Sequence, residues 1–157
     1  MKSKSTNELL NILKQSDSPK DYIVNNGNSL ITDSLSTYLK TLLSQKGITK
    51  SQVIKAAELN DIYCYQIFSG KRFPSRDTLI SICIGMQLNV DETQQLLKYA
   101  GFAPLYTKNI RDSIILFGII NEYSIYEIHE SLYSTNKQTL GQTNYSYHDM
   151  FTLMSIY

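Results

Sequence analysis

The chain has 157 residues, with 15 Lys and Arg against 14 Asp and Glu, 42% hydrophobic residues and 18% charged ones. That length buries one good core, so one compact domain with appendages is the natural expectation. A net charge near zero excludes a global field for polyanions, and any nucleic-acid surface has to be local.

The opening MKSKSTNELLNILKQ lacks the apolar core of a signal peptide. Ser5-x-x-Glu8 instead forms a capping-box pattern for a short helix with Leu9, Leu10 and Leu13 on one side. Ser18-Pro19 starts a second helix that Gly27 can end, and the run from Asn25 to Ser29 reads as a linker. Residues 1–29 are therefore expected to form an accessory helical hairpin.

The pattern strengthens from Asp33. Leu35, Leu39, Leu42 and Leu43 recur at helical spacing up to a stop at Gly47. Thr49-x-x-Gln52 opens a helix that turns Val53, Ile54 and Ala57 inward. Asn60 caps the next, with Cys64, Ile67 and Phe68 inside and Gly70 at its end. Ser75 caps a fourth, burying Leu79, Ile82, Cys83 and Met86. Asn89-x-x-Glu92 opens a fifth, with Leu96, Leu97 and Ala100 apolar and Gly101 closing. The expected core joins Leu39, Leu42, Val53, Cys64, Ile67, Leu79 and Ile82.

Beyond Pro104, residues 108–120 read as a helix too apolar all round to stand free, with Gly118 as a packing contact. Ser124-x-x-Glu127 caps its partner, which presents Ile125, Ile128 and Leu132. Residues 104–133 are thus a helix pair, either a cover for the bundle or a dimer interface. From Ser134 to the end the periodicity collapses into a polar stretch, expected to be disordered, with an apolar end at 150–157.

The stretch ITKSQVIKAA, then SGKRFPSRDTLISI, carries a resemblance. From about Leu35 to Gly101 the chain resembles the Xre/Cro-like family of helix-turn-helix regulators, five helices in that family's order. The resemblance implies an all-α, five-helix lambda-repressor-like bundle over residues 30–103 that binds double-stranded DNA, and a homodimer on a two-fold site is expected because one short helix reads few bases. Two positions depart from the family's pattern. Glu58 stands at the turn position where the family prefers Gly, and Ile54 where it favours Ala.

By position, the resemblance places base reading on Asp61, Ile62, Tyr65 and Gln66 of the helix at 60–69. Gln66 can bond an adenine edge twice, Ile62 can touch a thymine methyl, and Asp61 can accept from cytosine N4. No Arg is present for guanine, so affinity has to come from phosphate contacts. Those fall on Thr49, Lys50, Asn60, Tyr63, Ser69, Lys71, Arg72 and Arg76. Six basic residues (Lys46, Lys50, Lys55, Lys71, Arg72, Arg76) against Glu58 and Asp61 give residues 46–76 a local charge of +4.

Other function classes find less support. Neither His nor Cys sits in a motif that would activate a nucleophile, no phosphate-binding Gly-rich loop follows a strand, and no ligand cluster has metal-site spacing. No enzyme activity, metal or cofactor is expected. The apolar runs at 79–86 and 114–120 fall far short of the roughly 20 residues a bilayer span needs. Cys64 and Cys83 read as reduced, buried apolar residues, and a cytoplasmic location without membrane contact is expected. The rival reading is a protein-interaction adaptor or antitoxin-like module that keeps a degenerate helix-turn-helix fold and binds a protein partner through its C-terminal helices.

Overall fold

The computed structural model describes residues 3–141, and all regular structure among them is helical. The chain divides into two units between Ser34 and Leu35. In the first, α1 (Thr6–Lys14) starts with the expected capping box: the Glu8 N–H donates to Ser5 Oγ at 3.3 Å and the Ser5 N–H to Glu8 Oε2 at 2.6 Å. Those bonds hold the Glu8 carboxyl below its usual range. Ser18 caps α2 (Pro19–Asn26), whose first residue is the proline. The expected linker is shorter than the sequence suggested, because Asn25 and Asn26 complete α2 and Gly27–Ser29 forms a 3-10 turn. Asn26 is buried, bonding Tyr22 O through Nδ2 at 2.9 Å and accepting from Lys4 Nζ at 2.6 Å. Leu10 and Leu13 remain nearly half exposed. So small a unit has too little interior to bury them.

The second unit begins at Leu35, somewhat later than the boundary expected at residue 30. It contains α3 (Leu35–Lys46), α4 (Lys50–Ala57), α5 (Asp61–Ser69), α6 (Arg76–Gly85), α7 (Val90–Tyr99), α8 (Ile110–Ile120) and α9 (Ile125–Ser134). α8 starts two residues after the expected Lys108, because the Asn109 side chain accepts from the Asp112 N–H at 2.9 Å and caps the helix there. All seven expected core residues are buried, Cys64 completely and Ile67 to 2% exposure, and Phe68 joins them. The two thiols are free and buried, which pushes Cys64 up to about 11 and Cys83 up to about 12.

α6 is the spine of this core, with every residue from Leu79 to Cys83 buried. α4 lies directly on it, and Gly85 is the reason it can. A Cβ at Gly85 would stand 2.7 Å from the Val53 carbonyl oxygen and 3.0 Å from Ala57 Cβ. The C-terminal helices cover the same core: Ile115, Leu116, Ile125, Ile128 and Leu132 belong to its buried cluster. Gly118 is the expected packing contact, since a side chain there would collide with Ile128. An outer row of α8, with Ile110, Phe117 and Ile120, stays exposed.

The polar stretch expected to be disordered from Ser134 is packed in its first part. Lys137 N–H returns to Leu132 O at 2.8 Å, Arg111 donates to the carbonyls of Gln138 and Thr139 at 2.8 and 3.1 Å, and Leu140 is buried. Backbone carbonyls, which composition cannot weigh, tie it down. The remainder of that expectation, residues 142–157, lies outside the described residues.

Candidate nucleic-acid interface

The turn between α4 and α5 is closed by the backbone rather than by glycine. Glu58 takes a left-handed conformation (φ 52°), and the next N–H, from Leu59, reaches back to Ile54 O at 3.3 Å. The unusual Glu at this position thus occupies the backbone conformation that a glycine would take more easily. Ile54, the second unusual residue, is buried. Thr49 caps α4 with a reciprocal box to Gln52, and Asn60 caps α5 by accepting from the Tyr63 N–H at 3.0 Å.

α5 buries Cys64, Ile67 and Phe68, so the opposite side must face outward. Asp61, Ile62 (70% exposed), Tyr65 (47%) and Ser69 lie on that side, with Gln66 and Tyr63 half-buried at its margins. The four base-reading candidates are therefore brought onto one surface. Asp61 and Tyr65 also line an open groove of about 320 Å³ with Ser51, Ile54, Lys55, Glu58 and Leu59.

After Gly70 (φ 83°) the chain folds back over the end of α5. The N–H groups of Lys71 and Arg72 both donate to Gln66 O, at 2.9 and 3.2 Å, and Ser69 Oγ donates there at 3.1 Å. Both cationic side chains are exposed next to the last turn of α5, and the Arg72 guanidinium lies 5.8 Å from the Tyr63 ring centre. No family model, curated protein or solved structure matches the chain. What the interface can do rests on its own geometry.

Arg76 is the one expected phosphate contact that the fold takes away. Its guanidinium grips Asp112 in a two-pronged pair at 3.2 and 3.0 Å and donates to Ala103 O and Pro104 O at 2.9 and 3.1 Å. Four of its five N–H donors are spent inside the protein, and the charge is compensated. Lys46 is likewise paired, with Glu92 at 2.8 Å, which also holds the Glu92 carboxyl low. Of the six cations counted in this region, Lys50, Lys55, Lys71 and Arg72 have no ion pair among the described residues. Lys55, which sequence reasoning left out of the contact set, lines the groove between α4 and α5. Its signal was its place one and a half turns after Lys50 on the outward side of α4.

α9 adds an electrostatic neighbour that the sequence did not announce. The Glu58 charge reaches both Tyr126 and His129. Burial lowers the His129 pKa, partly opposed by Glu58, and its Nε2 has no hydrogen-bond partner among the described residues.

Proposed function

We propose that the chain is a sequence-specific double-stranded-DNA-binding regulator, with α3 to α7 as a five-helix lambda-repressor-like unit of the Xre/Cro-like kind, acting in the cytoplasm as a homodimer. The observation that carries this reading is the fold-back of Lys71 and Arg72 onto Gln66 O. It sets two free cations beside an outward helix face that holds Asp61, Ile62, Tyr65 and Gln66.

In this reading α5 enters the major groove, about 12 Å wide, and α4 crosses the backbone with Thr49 and Lys50 at its phosphate-facing end. Lys71 and Arg72 grip the phosphates beyond, and Asn60, Tyr63 and Ser69 add neutral hydrogen bonds. Gln66 and Ile62 discriminate bases, while Asp61 accepts from cytosine and repels misplaced phosphate. Arg76 holds the scaffold and leaves the phosphate set. A titration of duplex DNA of random sequence against salt tests the reading. About three to four cations per protomer give a log–log slope of about −3 to −4. Binding without salt dependence overturns it.

One observation favours the adaptor or antitoxin-like reading. Ile62 and Tyr65 are strongly exposed beside the carboxylates of Glu58 and Asp61, a combination suited to a protein partner. In that case Ile62→Ala abolishes capture of the partner while bulk DNA affinity is negligible from the start.

A further inference from the structure

The outward face of α8 is self-complementary, and we infer that it is the seam on which a second copy of this chain docks antiparallel across a two-fold axis. At 100° per residue, Ile110, Ile114, Phe117 and Ile120 fall within an arc of roughly 120° on the side away from the buried Asp112, Ile115 and Leu116. Three of them are more than half exposed, Ile110 at 63%, Phe117 at 57% and Ile120 at 66%. Two charges stand just outside the helix, Lys108 two residues before its first residue and Glu122 two residues after its last. Both are exposed, and neither has an ion pair among the described residues.

The order Lys108, Ile110, Ser113, Phe117, Ile120, Glu122 is symmetric about residue 115. An antiparallel copy therefore places Lys108 against Glu122 of the second copy, twice. Ile110 meets Ile120, and the Phe117 ring meets the small Ser113, whose hydroxyl is already satisfied by Ile110 O at 2.7 Å. Phe117 is held ready by an edge contact with Tyr123, ring centres 5.8 Å apart. A parallel pairing sets Lys108 against Lys108 and loses every one of these matches. Self-matching of one patch is what a two-fold interface requires. A seam one short helix long lies at the small end of specific interfaces, so association in the micromolar range is expected, strengthened when both copies sit on one DNA.

This deepens the dimeric DNA-binding reading and rests on it for its purpose, but the association is measured without DNA. Sedimentation of the full chain over a concentration series reports the dimer. Lys108→Glu and Glu122→Lys each weaken dimerisation at least about tenfold, since each sets two like charges face to face, and the double swap restores it. Ile114→Cys, near the axis, oxidises to a covalent dimer. Ile110→Cys alone does not, because its two copies lie about 15 Å apart along the seam, whereas a mixture with Ile120→Cys does. A chain that stays monomeric at about a hundred times the expected micromolar constant overturns the proposal. So does a double swap that fails to restore the dimer, or self-crosslinking of Ile110→Cys. A dimer that forms as described but shows no salt-dependent DNA binding removes the DNA reading and leaves the seam standing.

Discussion

Arg76 and Asp112 meet in a two-pronged ion pair whose side chains are only 25% and 10% exposed, and this pair joins the start of α6 to the start of α8. Their chain neighbours make the same bond with the charges exchanged, Arg111 to Asp77 at 3.0 and 2.9 Å. Asp112 also accepts from the Tyr106 N–H at 2.9 Å, which fixes the connection before α8. A residue that the helix-turn-helix pattern offers to DNA has become the clasp of the C-terminal cover.

Removing one partner of the clasp leaves the other charged and mostly out of water. Arg76→Ala is expected to cost about 3 kcal/mol of stability, and Arg76→Lys to recover little, because a single ammonium cannot make the fork. Urea denaturation measures both. Where the variant remains folded, its affinity for bulk DNA should equal that of the native chain. A loss as large as that of Lys71→Ala returns Arg76 to the phosphate set.

The cations and the face of α5 should respond in different ways. Lys71→Ala or Arg72→Ala weakens binding to all duplexes alike and makes the salt slope shallower by about one. Gln66→Ala costs about 1–3 kcal/mol on the preferred site alone. Asp61→Asn raises bulk affinity and blurs sequence preference. If neither Gln66→Ala nor Asp61→Asn alters specific binding, α5 does not read bases.

Glu58 and Gln87 hold left-handed conformations, φ 52° and 56°, that a Cβ disfavours. Glu58→Gly and Gln87→Gly are each expected to raise stability by up to about 1 kcal/mol, the relief of that strain exceeding the added freedom of the unfolded chain. The reverse change at Gly70 should destabilise, because its φ is 83° and a Cβ would also stand 3.4 Å from Ser36 Cβ. Thermal unfolding of the three variants gives the signs directly.

His129 makes stability depend on pH. Its folded pKa is lowered, chiefly by burial, so the folded state favours the neutral ring. The stabilisation is complete above the unfolded value of about 6.5 and is lost as pH falls from there through the lowered folded value. Denaturation midpoints should drop across that window in the native chain, and His129→Gln should remove this part of the drop. Equal profiles for the two proteins would show that the ring charges without penalty.

Much of this fold was legible because its signals are local. Ser5, Thr49, Asn60, Ser75, Asn89 and Ser124 each cap the helix they precede, since a cap bond spans three residues and is specified by their identities. The inward places of Cys64 and Ile67, and hence the outward place of Ile62, followed from helical period alone. The candidate site was legible to the same extent: the sequence named the residues of α5 that share a surface, and named Lys71 and Arg72 beside them.

Partners distant along the chain were not legible. Nothing near Arg76 announces Asp112, 36 residues on, so its charge was counted toward DNA when tertiary packing had assigned it to α8. Gly85 gave no sign that α4 would lie on it, since a glycine near a helix end has several uses and only the approach of Val53 and Ala57 selects one. The sequence by itself determined which residues are helical and which side of each helix is apolar, because those depend on neighbours within a turn or two. Only the tertiary structure decided which charges stay free, which helices touch, and that the C-terminal pair covers the core, because such choices depend on residues that meet through space alone.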